Sequence, residues 1–261
     1  MIYWDVSPDI VTIGPFTIRW YGLLFALSFI VGYQIFYVMY KKENRPEKDL
    51  NDLIWYMILG TVIGARLGHC LFYNPNYYLS HPLEILQVWK GGLASHGAAI
   101  GILFSLYLFV KKHKEYSYLW ILDRMVITVA LGGFFIRMGN LFNSEIIGVQ
   151  TDVPWAFIFA SVDNIPRHPA QLYEAIAYLI SFIFLIVFYF RTNAKFKPGL
   201  IFGLFLILIF GFRFFVEFIK EDQTYFEKGM SLNMGQLLSI PFVLLGIYLV
   251  LRKEKKVIKI Q

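Results

Sequence analysis

Seven apolar stretches of about twenty residues each leave this chain few folds to choose from. They run Trp20–Tyr40, Leu53–Phe72, Gly92–Val110, Tyr118–Phe142, Leu172–Phe190, Leu200–Phe218 and Met234–Leu251. A helix of that length crosses a hydrocarbon core of about 30 Å, and helices satisfy their own backbone polar groups where no water is available. The expectation is an all-α, polytopic membrane protein with seven transmembrane helices. Residues 143–171 form the longest stretch outside them, and it reads as a loop or partial insertion. Residues 1–261 are therefore expected to form a single seven-helix membrane domain with a short extracytoplasmic region around 143–171. A composition of 57% hydrophobic and 16% charged residues is too apolar for an ordinary soluble domain.

The charge pattern orients the segments. Of 24 Lys and Arg, fifteen lie in the turns after segments one, three and five and in the tail: Lys41, Lys42, Arg45, Lys48, Lys111, Lys112, Lys114, Arg191, Lys195, Lys197, Arg252, Lys253, Lys255, Lys256 and Lys259. Arg19, Lys90, Arg167, Lys220 and Lys228 stand on the opposite side, and Arg66, Arg124, Arg137 and Arg213 lie inside segments. The positive-inside rule makes the first side cytoplasmic, with the N-terminus outside and the C-terminus inside. This distribution explains the net charge of +6 without nucleic acid, and the basic tail meets anionic lipid. Residues 1–19 lack a basic start, carry Asp5 and Asp9 and are broken by Pro8 and Pro15, so the first apolar run reads as a retained helix rather than a signal peptide. The tryptophans, Trp89 among them, suit interfacial anchoring. The lone Cys70 sits among apolar neighbours as an inert thiol.

Within the segments, polar residues gather at one end. Because alternate segments run in opposite directions, residues late in segments two, four and six lie level with those early in three, five and seven. Arg66, His69, Arg137, Asn140, Arg213 and Glu217 are late, while Tyr21, His96, Glu174 and Gln236 are early. All belong to one leaflet, the outer one. Ionisable groups there each cost about 2.5–3.5 kcal/mol on insertion scales and mark a pathway or an active site. Asp123 and Arg124 are the exception, on the cytoplasmic side, and read as an interfacial structural pair. Gly60, Gly64 and Gly68 in segment two and Gly97 and Gly101 in segment three provide for close helix packing. After Asn74-Pro75, the His81-Pro82 stretch suggests a short amphipathic helix at the surface.

The polar residue types suggest chemistry on an anion. Arg137 and Asn140 are three apart on one helix face, and Asn143, Ser144, Glu145 and Gly148 follow as the chain leaves the hydrocarbon. Arg213 and Glu217 are four apart, so the carboxylate can hold the guanidinium. The arginines exceed the carboxylates read as nearby, and an anionic ligand would supply the missing charge; guanidinium forks suit phosphate. A neutral His96 can accept a proton. Ser95 beside it cannot pair with it, since neighbours on a helix point apart, and no Gly-x-Ser-x-Gly supports a rhomboid-type protease. Glu174 follows His168-Pro169 in the first turn of segment five, where a helix-dipole role is the alternative. No motif suggests a metal or an organic cofactor.

Taken together, Trp20-Tyr21-Gly22, Ala65-Arg66-Leu67-Gly68, Gly91-Gly92-Leu93-Ala94-Ser95-His96-Gly97, the 136–148 run, Arg167–Glu174 and Met234–Pro241 resemble the bacterial phosphatidylglycerol–prolipoprotein diacylglyceryl transferases, in order and across every segment. The chain departs from the usual Gly-Arg-x-Gly-Asn-Phe-x-Asn-Gly-Glu-x-Trp-Gly run at Ile136, Leu141, Ser144 and Ile147. The resemblance implies an enzyme of the bacterial cytoplasmic membrane, active toward the extracytoplasmic leaflet. It implies transfer of the diacylglyceryl group of phosphatidylglycerol to the lipobox cysteine of a prolipoprotein signal peptide, releasing glycerol phosphate. On that reading Arg137 and Arg213 grip the phosphate with help from Arg66, and Asn140 and Tyr21 orient the head group. Glu145 and Glu217 fix the arginines, and His96 takes the thiol proton or, alternatively, binds the lipid. Asn143, Gly148 and Glu174 complete the substrate-binding set. The alternative class is an anion or lipid transporter, whose path should continue through the inner half of the membrane.

Overall fold

The computed structural model describes residues 1–88, 91–221 and 229–253. Trp89, Lys90, Lys228, Lys255, Lys256 and Lys259 of the sequence pattern lie outside these residues, as does the side chain of Ser95. The described helices are α1 (Trp20–Lys42), α2 (Glu47–Phe72), α3 (Pro75–Ser80), α4 (Ser95–Lys112), α5 (Tyr118–Phe142), α6 (Ala170–Arg191), α7 (Leu200–Val216) and α8 (Met234–Leu251). Short 3₁₀ turns cover Pro82–Leu86 and Glu217–Ile219. The strands are β1 (Ile2–Trp4), β2 (Asp9–Ile13), β3 (Phe16–Arg19), β4 (Phe157–Phe159) and β5 (Pro166–Arg167).

The expectation of seven spans is met in part. Among the described residues, six helices rather than seven are long and apolar enough to cross a membrane: α1, α2, α5, α6, α7 with its 3₁₀ turn, and α8. The apolar run from Gly92 does not begin as a helix, because Gly91 and Gly92 take φ values of 84° and 70°. Helix α4 has 18 residues, as α8 does, but Ser95 and His96 at its start and Lys111 and Lys112 at its end make it less apolar. His96 is its second residue. The structure is mostly helical and fits an all-α polytopic membrane protein, with short strands only near the N-terminus and in the 143–171 region among the described residues.

Contacts divide the chain into two compact units, Met1–Ile35 with the described part of Leu122–Gln261, and Phe36–Ile121. In the second unit α2 packs on α4 through the expected glycines. A Cβ at Gly68 would stand 2.7 Å from the Cα of Gly97, and one at Gly64 would stand 2.8 Å from the Cα of Gly101. Only hydrogen at these positions lets the two backbones approach so closely. At the opposite end of α2, Tyr116 donates to Asp49 at 2.7 Å and Trp120 to Glu43 at 2.9 Å. Arg45 covers the Tyr116 and Trp120 rings at 5.0 and 5.1 Å. Helix α3 and the following 3₁₀ turn expose Tyr77, Leu79, Leu83 and Leu86, as a surface-lying segment should. Cys70 is a fully buried free thiol.

In the first unit β1 runs parallel to β4, with Ile2 opposite Phe157 and Trp4 opposite Phe159, and β5 closes the sheet antiparallel to β4. The residues 143–171 thus form part of a small sheet with the chain's first residues instead of an irregular loop. Beneath it Leu141, Ile147, Phe157 and Phe159 are buried, joined by Trp4, Met138 and Leu172. Trp4 was expected as an interfacial anchor, yet its ring lies 5.9 Å from Phe142 and 5.6 Å from Phe157. Pro15, which looked like a chain break, sits with Gly14 in the tight turn of the β2–β3 hairpin, where Ile13 pairs with Phe16.

The Asp123–Arg124 pair is structural, as expected. Asp123 is fully buried, and its carboxylate accepts from the backbone N–H groups of Gly199 at 2.6 Å and Phe202 at 2.8 Å. A residue 76 positions away thereby caps the start of α7, where four N–H groups lack helical partners. Arg124 lies over Phe196 at 5.1 Å and Tyr189 at 5.8 Å. Asp123→Ala would strand both donors and is expected to lower stability by about 1–3 kcal/mol, read as an earlier melting transition in detergent. Asp123→Asn, which keeps an acceptor, should lose less.

Candidate active site

The last turns of α5 carry Arg137 and Asn140 on one face. The Arg137 Nη1 donates to Asn140 Oδ1 at 3.2 Å, and Asn140 Nδ2 donates onward to Glu145 Oε2 at 3.2 Å. Glu145 also accepts from Asn143 Nδ2 at 3.1 Å. Its carboxylate therefore grips two amides, and it holds Arg137 only through Asn140. This corrects the expectation that Glu145 fixes an arginine directly. The tight return that makes this possible uses two left-handed residues, Ser144 at φ 53° and Ile146 at φ 58°. A β-branched residue there is strained, and such strain concentrates at functional sites.

The direct partner of Arg137 is Glu174 of α6, whose Oε2 stands 2.9 Å from the guanidinium Nε. Glu174 is completely buried, so the dipole-only alternative does not describe it. On α7, Arg213 Nε lies 3.4 Å from Glu217 Oε1. Asn233 Nδ2 donates to Glu217 Oε2 at 3.1 Å, and a Cβ on Gly235 would stand 2.6 Å from Glu217 Oε1. Gln236 forms a capping box with Asn233 at the start of α8, which orients the amide that holds Glu217. Tyr21 of α1 packs its ring over Gly139, where a Cβ would come within 2.7 Å of Tyr21 Cδ2.

Between the two glutamates lies a residue that the sequence reading left in the outer loops. The Lys220 side chain is only 2% exposed, and its Nζ sits 2.8 Å from Glu217 Oε1 and 3.3 Å from Glu174 Oε1. The expected excess of arginines over carboxylates therefore needs restating. Arg137, Arg213 and Lys220 face Glu174 and Glu217, and Glu145 reaches the group through Asn140. What remains open is hydrogen-bonding capacity. Arg213 keeps a side chain 36% exposed, and among the described residues its terminal nitrogens have no partner. Asn143 Oδ1 is buried without a hydrogen bond, as are both amide atoms of Gln171, which is fully buried three residues before Glu174 on α6. Unsatisfied buried polar groups of this kind call for a ligand or water.

A family model described as prolipoprotein diacylglyceryl transferase matches residues 8–252. The phosphatidylglycerol–prolipoprotein diacylglyceryl transferase of Chloroherpeton thalassium is 51% identical over 255 residues, which cover 98% of this chain and 95% of that one. Its namesake from Tolumonas auensis is 48% identical over 256 residues, covering 98% and 99% of the two chains. That of Bacteroides fragilis is 47% identical over 267 residues, covering 98% and 96%. The chain belongs to the prolipoprotein diacylglyceryl transferase family.

As a family member it can be judged at the positions where it departs from the usual run. Leu141 and Ile147 are buried against Phe157 and Phe159, so these replacements fill the core under the small sheet with aliphatic groups. Ser144 occupies a left-handed position that glycine adopts freely. Gly148 is a point of close approach: a Cβ there would lie 2.6 Å from the Cβ and O of His168 and 2.7 Å from Ile219 O. Its N–H donates to His168 O at 2.9 Å, and it forms an antiparallel bridge with Lys220. Gly148 thus has a packing role that fixes the backbone of Lys220. Arg167 secures the same corner by pairing with Asp163 at 2.6 Å and with Glu221. Its guanidinium holds the Asp163 carboxyl below the usual carboxylate range.

Arg66 and His96 belong to the other unit. Arg66 is buried, and its guanidinium donates to the backbone carbonyls of Ile85 at 3.0 Å, Glu84 at 2.6 Å, Gly91 at 2.7 Å and Gly92 at 3.3 Å. It ties down the segment after α3 and has little donor capacity left for a phosphate, which corrects its assisting role. His96 is exposed and touches only rings among the described residues, with Phe72 at 5.4 Å and Tyr73 at 5.9 Å. Its nitrogens are free to meet a substrate.

Proposed function

We propose that this chain transfers the diacylglyceryl group of phosphatidylglycerol to the lipobox cysteine thiol of prolipoproteins, forming a thioether and releasing glycerol phosphate. One observation carries the assignment of the site: among the described residues Arg213 presents terminal guanidinium nitrogens without a hydrogen bond beside a buried network that holds Arg137 through Glu174. Preorganised, permanently charged donors of this kind stabilise the charge of a departing phosphate ester. Asn143 Oδ1 and the Gln171 amide are acceptors and donors for glycerol hydroxyls, and Tyr21 and Asn140 border the same group. An apolar cleft of about 480 Å³ between α6 and α7 begins at Tyr173 and Phe212, the neighbours of Glu174 and Arg213, and suits an acyl chain. The protein works in the bacterial cytoplasmic membrane as one seven-helix domain including α4. Its N-terminus is outside, its site faces the extracytoplasmic leaflet, and both substrates enter between helices.

His96 accepts the thiol proton, directly or through water. His96→Gln should therefore slow transfer more at pH 7 than at pH 9, where a thiol of ordinary pKa, about 8.5, ionises unaided. A defect of equal size at both pH values would make His96 a binding group instead. The transporter alternative loses support because the charged pair at the cytoplasmic side, Asp123 and Arg124, is buried and engaged within the fold. The deciding test mixes purified protein, labelled phosphatidylglycerol and a lipobox peptide. Label on the peptide thiol supports the transferase; movement of lipid across a vesicle membrane with no labelled peptide supports the transporter.

A further inference from the structure

We infer that Lys220 is a positioning residue that keeps the guanidinium groups of Arg137 and Arg213 available to the lipid phosphate. The inference rests on the phosphate-clamp reading above. A buried glutamate next to an arginine ordinarily closes on it with both oxygens, since the bidentate pair is the strong form of the contact. Here neither pair closes. Among the described residues no hydrogen bond joins either pair; the shortest contacts run from Nε to one carboxylate oxygen, at 2.9 Å for Arg137 and 3.4 Å for Arg213. Lys220 Nζ takes Oε1 of Glu217 at 2.8 Å and Oε1 of Glu174 at 3.3 Å, while Asn233 takes Glu217 Oε2 at 3.1 Å. The ammonium thus draws one oxygen of each glutamate toward itself; among the described residues the terminal nitrogens of Arg213 make no hydrogen bond, while Arg137 spends Nη1 on Asn140 Oδ1.

The backbone around Lys220 is built to deliver that ammonium. Val149 N–H donates to Ile219 O at 2.9 Å, and Glu221 N–H donates to Ile147 O at 3.2 Å. Gly148 bridges Lys220 between these bonds, so the end of the 136–148 run and the segment after α7 are clamped together at this one residue. A lysine suits the task better than an arginine would. Its compact, rotatable ammonium can sit between two carboxylates as a point charge, leaving the bidentate grip on phosphate to the arginine forks.

The test measures transfer to a lipobox peptide as a function of phosphatidylglycerol in mixed micelles, using the full chain with Lys220→Met, Lys220→Gln and Lys220→Arg. Removing the ammonium frees both carboxylates to close on the arginines, so Lys220→Met should raise the KM for the lipid about tenfold with a smaller change in kcat. Lys220→Gln should do the same, and it stands in if the methionine variant fails to fold. Lys220→Arg keeps the bridging charge and should return the KM to within about threefold of the parent. A KM unchanged within about twofold in a folded Met or Gln variant overturns the inference. So does a loss confined to melting temperature, or one that Lys220→Arg does not repair. Arg213→Ala, run in parallel, separates the two claims. If it retains full transfer, the phosphate clamp itself is wrong; if it is inactive while Lys220→Met keeps the parent KM, only the role of Lys220 falls.

Discussion

Arg137→Ala and Arg213→Ala are each expected to cut transfer from labelled phosphatidylglycerol by roughly 10²–10³-fold, the loss seen when a preorganised donor is removed from a developing negative charge. The two should fail differently. Arg213 is more than a third exposed and makes one contact at 3.4 Å, so its loss leaves the fold nearly intact and acts on the reaction alone. Arg137 is an internal partner of Glu174 and a donor to Asn140, so its loss also loosens the run that leads to Glu145. The check is label transferred to peptide at matched amounts of inserted protein, with melting temperature recorded for each variant. Parent-like turnover in either would remove the arginine concerned from the phosphate site.

Glu174→Ala should be the most damaging change to stability. Its carboxylate is fully buried and serves both Arg137 and Lys220, so alanine leaves the buried Arg137 without its counter-charge and Lys220 with Glu217 alone. Breaking one side of a buried ion pair costs about 3–5 kcal/mol, which is far more than an intact pair contributes, because the stranded charge keeps its desolvation penalty. Unfolding in detergent would show this as a large fall in transition midpoint, with transfer lost as well. Glu174→Gln retains an acceptor and should lie between alanine and the parent. A Glu174→Ala protein that melts with the parent would mean that the network is dispensable to the fold.

The pattern of polar residues was legible because a membrane restricts where such residues can go. Arg137, Asn140, Arg213 and Glu217 were visible as ionisable or amide groups late in apolar segments, and the structure joins them with Glu174 and Asn143 in one unit. The glycine seam of α2 and α4 was equally visible, since small residues at four-residue spacing have few other uses in a lipid-facing helix. Lys220 was not. A lysine in a loop after a membrane helix reads as a solvated charge, and nothing local signals that strand-like pairing with Ile147 and Val149 turns it inward. Arg66 misled in the opposite way. It looked like a phosphate ligand, but carbonyls of residues 18 to 26 positions further on consume its donors.

The sheet near the N-terminus was hidden for a related reason. Its pairing of Ile2 with Phe157 spans too much chain for any short-range periodicity to record. Similarly, the apolar run from Gly92 suggested a seventh span, and only the left-handed backbone at Gly91 and Gly92 reveals that the helix starts at Ser95. Hydrophobic length and charge placement act through the solvent, one segment at a time, so the sequence alone determined which stretches form long apolar helices and at which of their ends the polar residues gather. Which carboxylate meets which cation depends on distances of about 3 Å between residues far apart in the chain. Those distances exist only once helices, hairpin and sheet have packed, and the tertiary structure alone decided them.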